Sequence, residues 1–325
     1  MSKIFFHTNT LCHRGTTTAI LDYAKYNQEL LGNESVIVYP LNFNDPGVSK
    51  DSLTQNDVVD KIKQQFNVYG YSSTDDLLQF VENETPDYFY SLKAGFYDWI
   101  INRPGMKNLV HAVFMANQPH GDKYAYVSSW LSEVMSDNKL PYVPHIVTLP
   151  KERQINWREK LNITPDKIVI GRYGGLHQFD IREVQQTVIH FAKQYSNYEF
   201  LFVNTFEFCD LPNVRFLPAI IDPQDKTDFI LSCDAMIHAR SDGESFGLAI
   251  CEGLFHNKPV FCFNGGRDQH HIKLLKDTGL LYSTIPEFVN QLLNVKNSYK
   301  TNYSKLVESF SPENVMKQFN DIFLS

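Results

Sequence analysis

Short apolar runs rich in β-branched and aromatic residues alternate with helix-patterned segments from one end of this chain to the other. "KIFFHT" (3–8) leads into "GTTTAILDYAKYNQELLG", where Ile20, Tyr23 and Ala24 recur at helical spacing and Gly32 stands ready to close the helix. "SVIVYPL" (35–41), "NVYGY", "DYFYSL" (87–92), "NLVHAVFMA", "YAYVSS" and "YVPHIV" read as further strands of a first set. "NDVVDKIKQQF" and the Ser/Thr-capped "STDDLLQFV" supply helices between them. Such alternation implies βαβ units and a parallel, doubly wound sheet.

The pattern then restarts. "TLPKERQINWREKLNITPD" is polar and carries prolines, and reads as a linker. "KIVIGRYGG" (167–175), "EFLFVNT", "VRFLPA", "AMIHAR" and "PVFCFNGG" follow as strands, interleaved with "REVQQTVIHFAKQY" and the Asp-capped, Pro-started "DPQDKTDFILSC". "SPENVMKQFNDIFLS" closes the chain as a Ser-capped helix. The economical expectation is two Rossmann-like α/β domains, residues 1–147 and 148–310.

Composition narrows the function classes. The 325 residues are 43% hydrophobic and 21% charged, with a net charge of −7. The acidic excess runs through both halves, without the basic footprint of a nucleic-acid binder. Five scattered cysteines without C-x-x-C suggest reduced, mostly buried thiols in a cytoplasmic protein. "MSKIFFHTN" turns polar too early for a signal peptide, and no apolar run reaches the roughly 20 residues of a membrane span. At most peripheral membrane contact is expected.

The segment richest in chemistry is "SDGESFGLAICE" (241–252), a Gly-containing turn between an apolar strand and an apolar helix. Glu244 precedes the expected helix start and Glu252 lies on its second turn. Between them, backbone N–H groups from Ser245 through Phe246 and Gly247 to Leu248 face outward from a helix N-terminus, a ready anion site. A ligand with an anionic middle and hydroxyl-bearing ends suits this layout, because each carboxylate accepts two hydroxyl hydrogen bonds. A nucleoside diphosphate sugar has that shape.

Taken with its flanks, this stretch resembles the donor-site signature of retaining GT-B glycosyltransferases of the GT4 type, P-S-x-x-E-G-F-G-x-x-x-x-E-A-x-A-x-G-x-P-V. Ser241, Glu244, Phe246, Gly247, Glu252, Pro259 and Val260 match it, while Ser245 replaces a glycine. "WREKLNITPDKIVIGRYGG", with Gly174 and Gly175, is similar to the start of the family's C-terminal domain, and "RGTTTAILDYAKY" to the first loop and helix of its N-terminal domain. The resemblance implies two Rossmann-like domains facing a central cleft, with the closing helix 311–325 returning to the first. It implies a hexosyltransferase using a nucleotide sugar, with retention, no cofactor and no metal, and a glycan or lipid-linked glycan as acceptor. Glu244 would meet the sugar hydroxyls and Glu252 the ribose.

The family's Arg and Lys, five residues apart, fall on Gly175 and Asp180 when laid on "GRYGGLHQFDI", with Arg172 assigned to the strand. Arg240, Arg267 and Arg14 are the candidate replacements. His120, after a strand of the first domain, is a candidate catalytic residue, and Arg14, Gly15 and Thr16 a candidate acceptor or phosphate side. His270 and His271 read as a solvated helix start. The chain has no D-x-D and no G-x-G-x-x-G. The alternatives are a non-catalytic binding protein on the same fold and a sugar-nucleotide epimerase.

Overall fold

The computed structural model describes residues 1–41, 53–101, 103–298 and 301–325. The chain divides into two compact units, Met1–Ile146 with Phe310–Ser325, and Val147–Ser309.

The first unit is built on six strands: β1 (Lys3–His7), β2 (Glu34–Pro40), β3 (Asn67–Tyr71), β4 (Tyr88–Lys93), β5 (Lys107–Ala112) and β6 (Lys123–Tyr126). They lie in the order β3-β2-β1-β4-β5-β6, and every adjacent pair is parallel. A parallel sheet carries helices on its faces, so its central strands are apolar throughout. Ile4, Phe5 and Phe6 of β1 are accordingly fully buried. Phe5 packs with Val36, Val38 and Phe89 and with Leu77 and Val81 of the helix Thr74–Glu84. Each such side chain contributes about 1.5–3 kcal/mol by leaving water. The closing helix Pro312–Phe319 starts on a Ser311 cap and belongs to this unit. Its Phe319 stacks on Phe6 and Tyr23, and Tyr88 donates to the Leu324 carbonyl.

The second unit repeats the plan with β7 (Ile168–Arg172), β8 (Tyr198–Val203), β9 (Val214–Leu217), β10 (Ala235–His238), β12 (Val260–Phe263) and β14 (Leu281–Tyr282), in the order β14-β12-β10-β7-β8-β9. All five pairings are parallel. Two-residue strands β11 (Gly243–Glu244) and β13 (Asp268–Gln269) pair separately.

Three expectations need correction. "YVPHIV" forms no strand: Tyr142 makes one isolated bridge to Tyr126, and Pro144, lacking an N–H, cannot extend a ladder. The polar stretch expected as a linker is fastened to the second unit instead. Asp228 accepts from the backbone of Gln154 and Ile155, Trp157 is buried, and Arg158 pairs with Asp234. His270 and His271 are also buried rather than solvated.

Candidate functional site

In an open parallel sheet, ligands settle at the carboxyl ends of the strands where the winding reverses. That point lies between β1 and β4 in the first unit and between β7 and β10 in the second. Each of these four apolar strands closes on a polar residue, namely His7, Lys93, Arg172 and His238, and all four are buried.

In the second unit the β10 end runs straight into the turn picked out by sequence. Gly243 has φ +74, and a Cβ there would stand 2.0 Å from the Asp268 carbonyl oxygen, so only glycine permits this pairing of β11 with β13. Gly247, at φ +86, caps the helix Leu248–Phe255, and no side-chain cap occupies its first turn. Between these hinges the Glu244 carboxylate is held from two sides. His238 Nε2 lies 2.9 Å from Oε1, and Arg240 lies 3.3 Å from Oε2. An ionised carboxylate only accepts, so Nε2 carries the proton of that contact. Burial would push the Glu244 carboxyl up, but the His238 hydrogen bond and the charges of His238 and Arg240 bring it down to about 2. His270 Nδ1 on the Phe246 carbonyl and His271 Nε2 on that of Phe263 back the turn from behind.

Glu252 has a different set of partners. It is buried in the helix interior, where Lys226 Nζ donates to Oε1 at 3.1 Å and the Tyr173 hydroxyl donates to Oε2. Ser241 is latched to the opposing loop, its N–H and hydroxyl both donating to Asp180, at 2.7 and 2.6 Å. The Asp180 position, laid on a family lysine by sequence, is thus a carboxylate tying the two switch-point loops together. Arg172 is a buried cation at the same strand edge. Its guanidinium donates to Thr205 Oγ1 at 2.6 Å and to the carbonyls of Asn204 and Gly175 at 3.0 and 2.9 Å. Burial lowers it to about 10. Gly174 accepts from Asn204. Arg267 is bidentate on Asp268 and largely exposed.

The remaining predicted residues lie in the first unit. Arg14 precedes the helix Gly15–Glu29, whose first turn holds Gly15 and Thr16. His120 is buried with Nδ1 on the Gln118 carbonyl and Nε2 3.3 Å from Asp98. Sequence reasoning missed His238, Lys226, Tyr173 and the Lys93–Asp98 pair. Among the described residues no group of three or more His, Cys, Asp or Glu is placed to hold a metal, and no helix is long and apolar enough to cross a membrane.

No protein-family model and no curated protein matches the chain by sequence. Solved structures do match it. The Anabaena protein HepE, crystallised with UDP and glucose, aligns over 100% of both chains at 12% identity, with a TM-score of 0.72. A glycosyltransferase from Rickettsia africae aligns over 99% of this chain and 97% of its own at 13% identity and a TM-score of 0.70. The fold is GT-B. A Listeria monocytogenes protein provisionally named a UDP-N-acetylglucosamine 2-epimerase shares it, at 11% identity over 99% of this chain and 96% of its own, with a TM-score of 0.61. The GT-B architecture therefore hosts more than one activity, and function has to be argued from the site.

Proposed function

We propose that the protein is a glycosyltransferase of the retaining, GT4-like kind, moving a hexose from a nucleoside diphosphate sugar to a glycan or lipid-linked glycan without a metal ion. The observation that carries this reading is the ionised, doubly held Glu244 between two glycine hinges, beside an uncapped helix start at the switch point of the second unit. In this assignment the diphosphate meets the N–H groups from Ser245 to Leu248, and Glu244 accepts from the sugar hydroxyls. Glu252 holds the ribose. Lys226 and Tyr173 donate to the two Glu252 oxygens and fix the carboxylate in place. Catalysis then rests on positioning and on neutralising the leaving diphosphate. The UDP bound in the HepE structure, on the same fold, makes a uridine nucleotide the first donor to try.

The test separates the two carboxylates. With UDP-glucose as donor, Glu244→Gln is expected to lower turnover about 100-fold, as loss of a preorganised polar group does, with UDP affinity nearly intact. Glu252→Gln is expected to weaken UDP binding itself. Equal, small effects of both changes on rate and affinity would remove the assignment. The epimerase reading, favoured by the Listeria neighbour, predicts an isomerised sugar whose formation needs no acceptor, and product analysis by NMR distinguishes the two.

A further inference from the structure

The first donors of the turn after β10 are already taken by a carboxylate. Ser241 N–H donates to Asp180 Oδ1 at 2.7 Å, and the Ser241 hydroxyl donates to Oδ2 at 2.6 Å. An N–H and a serine hydroxyl are also the groups that commonly hold two oxygens of a phosphate. Asp180 does not serve its own helix. The helix Arg182–Gln194 starts on Ile181 and has no side-chain cap, while Asp180 crosses to a residue 61 positions away. Asp180 is exposed, and exposed hydrogen bonds add little net stability, so stability alone is a weak reason for this latch.

A cation lies at the same edge. Arg172 is buried against Gly174 and Gly175: a Cβ on Gly174 would stand 2.9 Å from Nη2, which donates to the Gly175 carbonyl. Gly175 is where the family's arginine falls, so here a guanidinium reaches that place from β7 rather than from the loop. Arg240 and Arg267 are each paired with a carboxylate. The partners of Arg172 are instead carbonyls and the Thr205 hydroxyl, and its Nε has none. Glu244 and Asp180 oppose its charge without pairing with it.

We propose that Asp180 is a built-in competitor of the nucleotide's diphosphate, holding the Ser241 donors until the diphosphate displaces it. The proposal rests on the transfer reading above and adds a discrimination between donor and product. In a nucleotide sugar the hexose esterifies the terminal phosphate. The product UDP regains the second ionisation of that phosphate, which lies near pH 6, and so carries more negative charge. A fixed carboxylate at this edge repels UDP more strongly than UDP-glucose, and thereby favours release of product over loss of donor.

The sign of one measurement separates a competitor from a brace. Calorimetry is run with UDP, UDP-glucose, inorganic pyrophosphate and uridine on wild type, Asp180→Asn and Asp180→Ser, two neutral changes at an exposed position. Both variants should bind UDP and pyrophosphate about tenfold more tightly, the scale of a like-charge repulsion partly screened by solvent. UDP-glucose should gain less than UDP, and uridine should stay within about twofold. Product inhibition by UDP should deepen accordingly. A brace that only shapes the turn predicts the reverse, with weaker or unchanged binding of every phosphate. That result, an equal gain for uridine, or no binding of UDP and pyrophosphate to any of the three proteins would each overturn the proposal. If wild type binds UDP and neither variant binds it more tightly, the competitor falls and the transfer reading stands. If pyrophosphate responds as described while UDP binds no better than pyrophosphate, the competitor stands and the nucleotide reading falls.

Discussion

The two switch points place comparable groups in opposite company. In the second unit, Lys226 and Glu252 face each other with side chains only 10% and 3% exposed, and Tyr173 closes the remaining side. In the first, Lys93 is just as deep, but its partner Asp98 is 39% exposed. A buried ion pair is strong only while both members are present, because either one alone is a charge stranded out of water. An ion pair with one wet member degrades gently, since water takes over the exposed group. One edge is therefore a closed electrostatic lock, and the other is an ion pair with one member in water.

The largest expected effect attacks the lock. Lys226→Met strands the Glu252 carboxylate and should cost about 3–5 kcal/mol in chemical unfolding. The double variant Lys226→Met/Glu252→Leu should recover most of that loss, because two apolar groups replace the pair. A double variant as unstable as the single would show that Lys226 acts through packing of its stem rather than its charge.

Acid comes next, and it reports on Glu244. Its folded carboxyl lies at about 2, below a glutamate's ordinary 4.5. A depressed folded value stabilises above the unfolded value, and that contribution is lost as pH falls through the window from 4.5 to 2. Glu244→Gln lacks the contribution. The stability gap between wild type and variant should therefore narrow by about 3 kcal/mol across that window. A constant gap would mean that His238 and Arg240 do not hold the carboxylate ionised. His270 and His271, pushed by burial down to about 4, both feel the Glu244 charge, so its loss shifts their titration too and the gap reads the whole cluster.

Much of this was legible in the sequence, and the reason differs between fold and site. The two α/β halves show because buried parallel strands are continuous apolar runs and their helices keep a 3.6 period, both local properties. The turn at 241–247 shows because its glycines and carboxylate are neighbours in sequence. Most of their partners are not. Lys226 and Tyr173 reach Glu252, and Asp180 reaches Ser241, from separate segments that only the crossing connections of the sheet bring together, while His238 lies just six residues before Glu244. One signal did exist. "IFFH", "YSLK", "IVIGR" and "AMIH" each end an apolar strand on a group able to carry charge, and those four residues flank the two switch points. "YVPHIV" misled because its apolar content matches a strand while Pro144 interrupts the donors.

A third, smaller effect sharpens the contrast from the first unit. Lys93→Met should cost only about 1 kcal/mol, because Asp98 can turn to water. A loss as large as that of Lys226→Met would show that the first edge is locked too.

The smallest effects concern the arginines of the second edge. A leaving diphosphate needs positive charge, yet each candidate there is already engaged. Arg240 holds Glu244 at 3.3 Å and lies 3.7 Å from Asp242, while Arg267 is bidentate on the adjacent Asp268. Their stability contributions should be slight: about 1 kcal/mol for Arg240, whose Glu244 partner is mostly buried, and within about 0.5 for the 57%-exposed Arg267. Turnover should rank them in the same order for a different reason. Arg240 acts on Glu244 directly, so Arg240→Met should loosen a group assigned to the sugar and lower kcat about tenfold, leaving UDP affinity within threefold. Arg267→Met should leave both within twofold, because its guanidinium is already matched by a carboxylate one residue away. If Arg267→Met instead costs more turnover than Arg240→Met, the diphosphate draws its cation from the β13 side of the turn, and Arg240 is only a brace for Glu244.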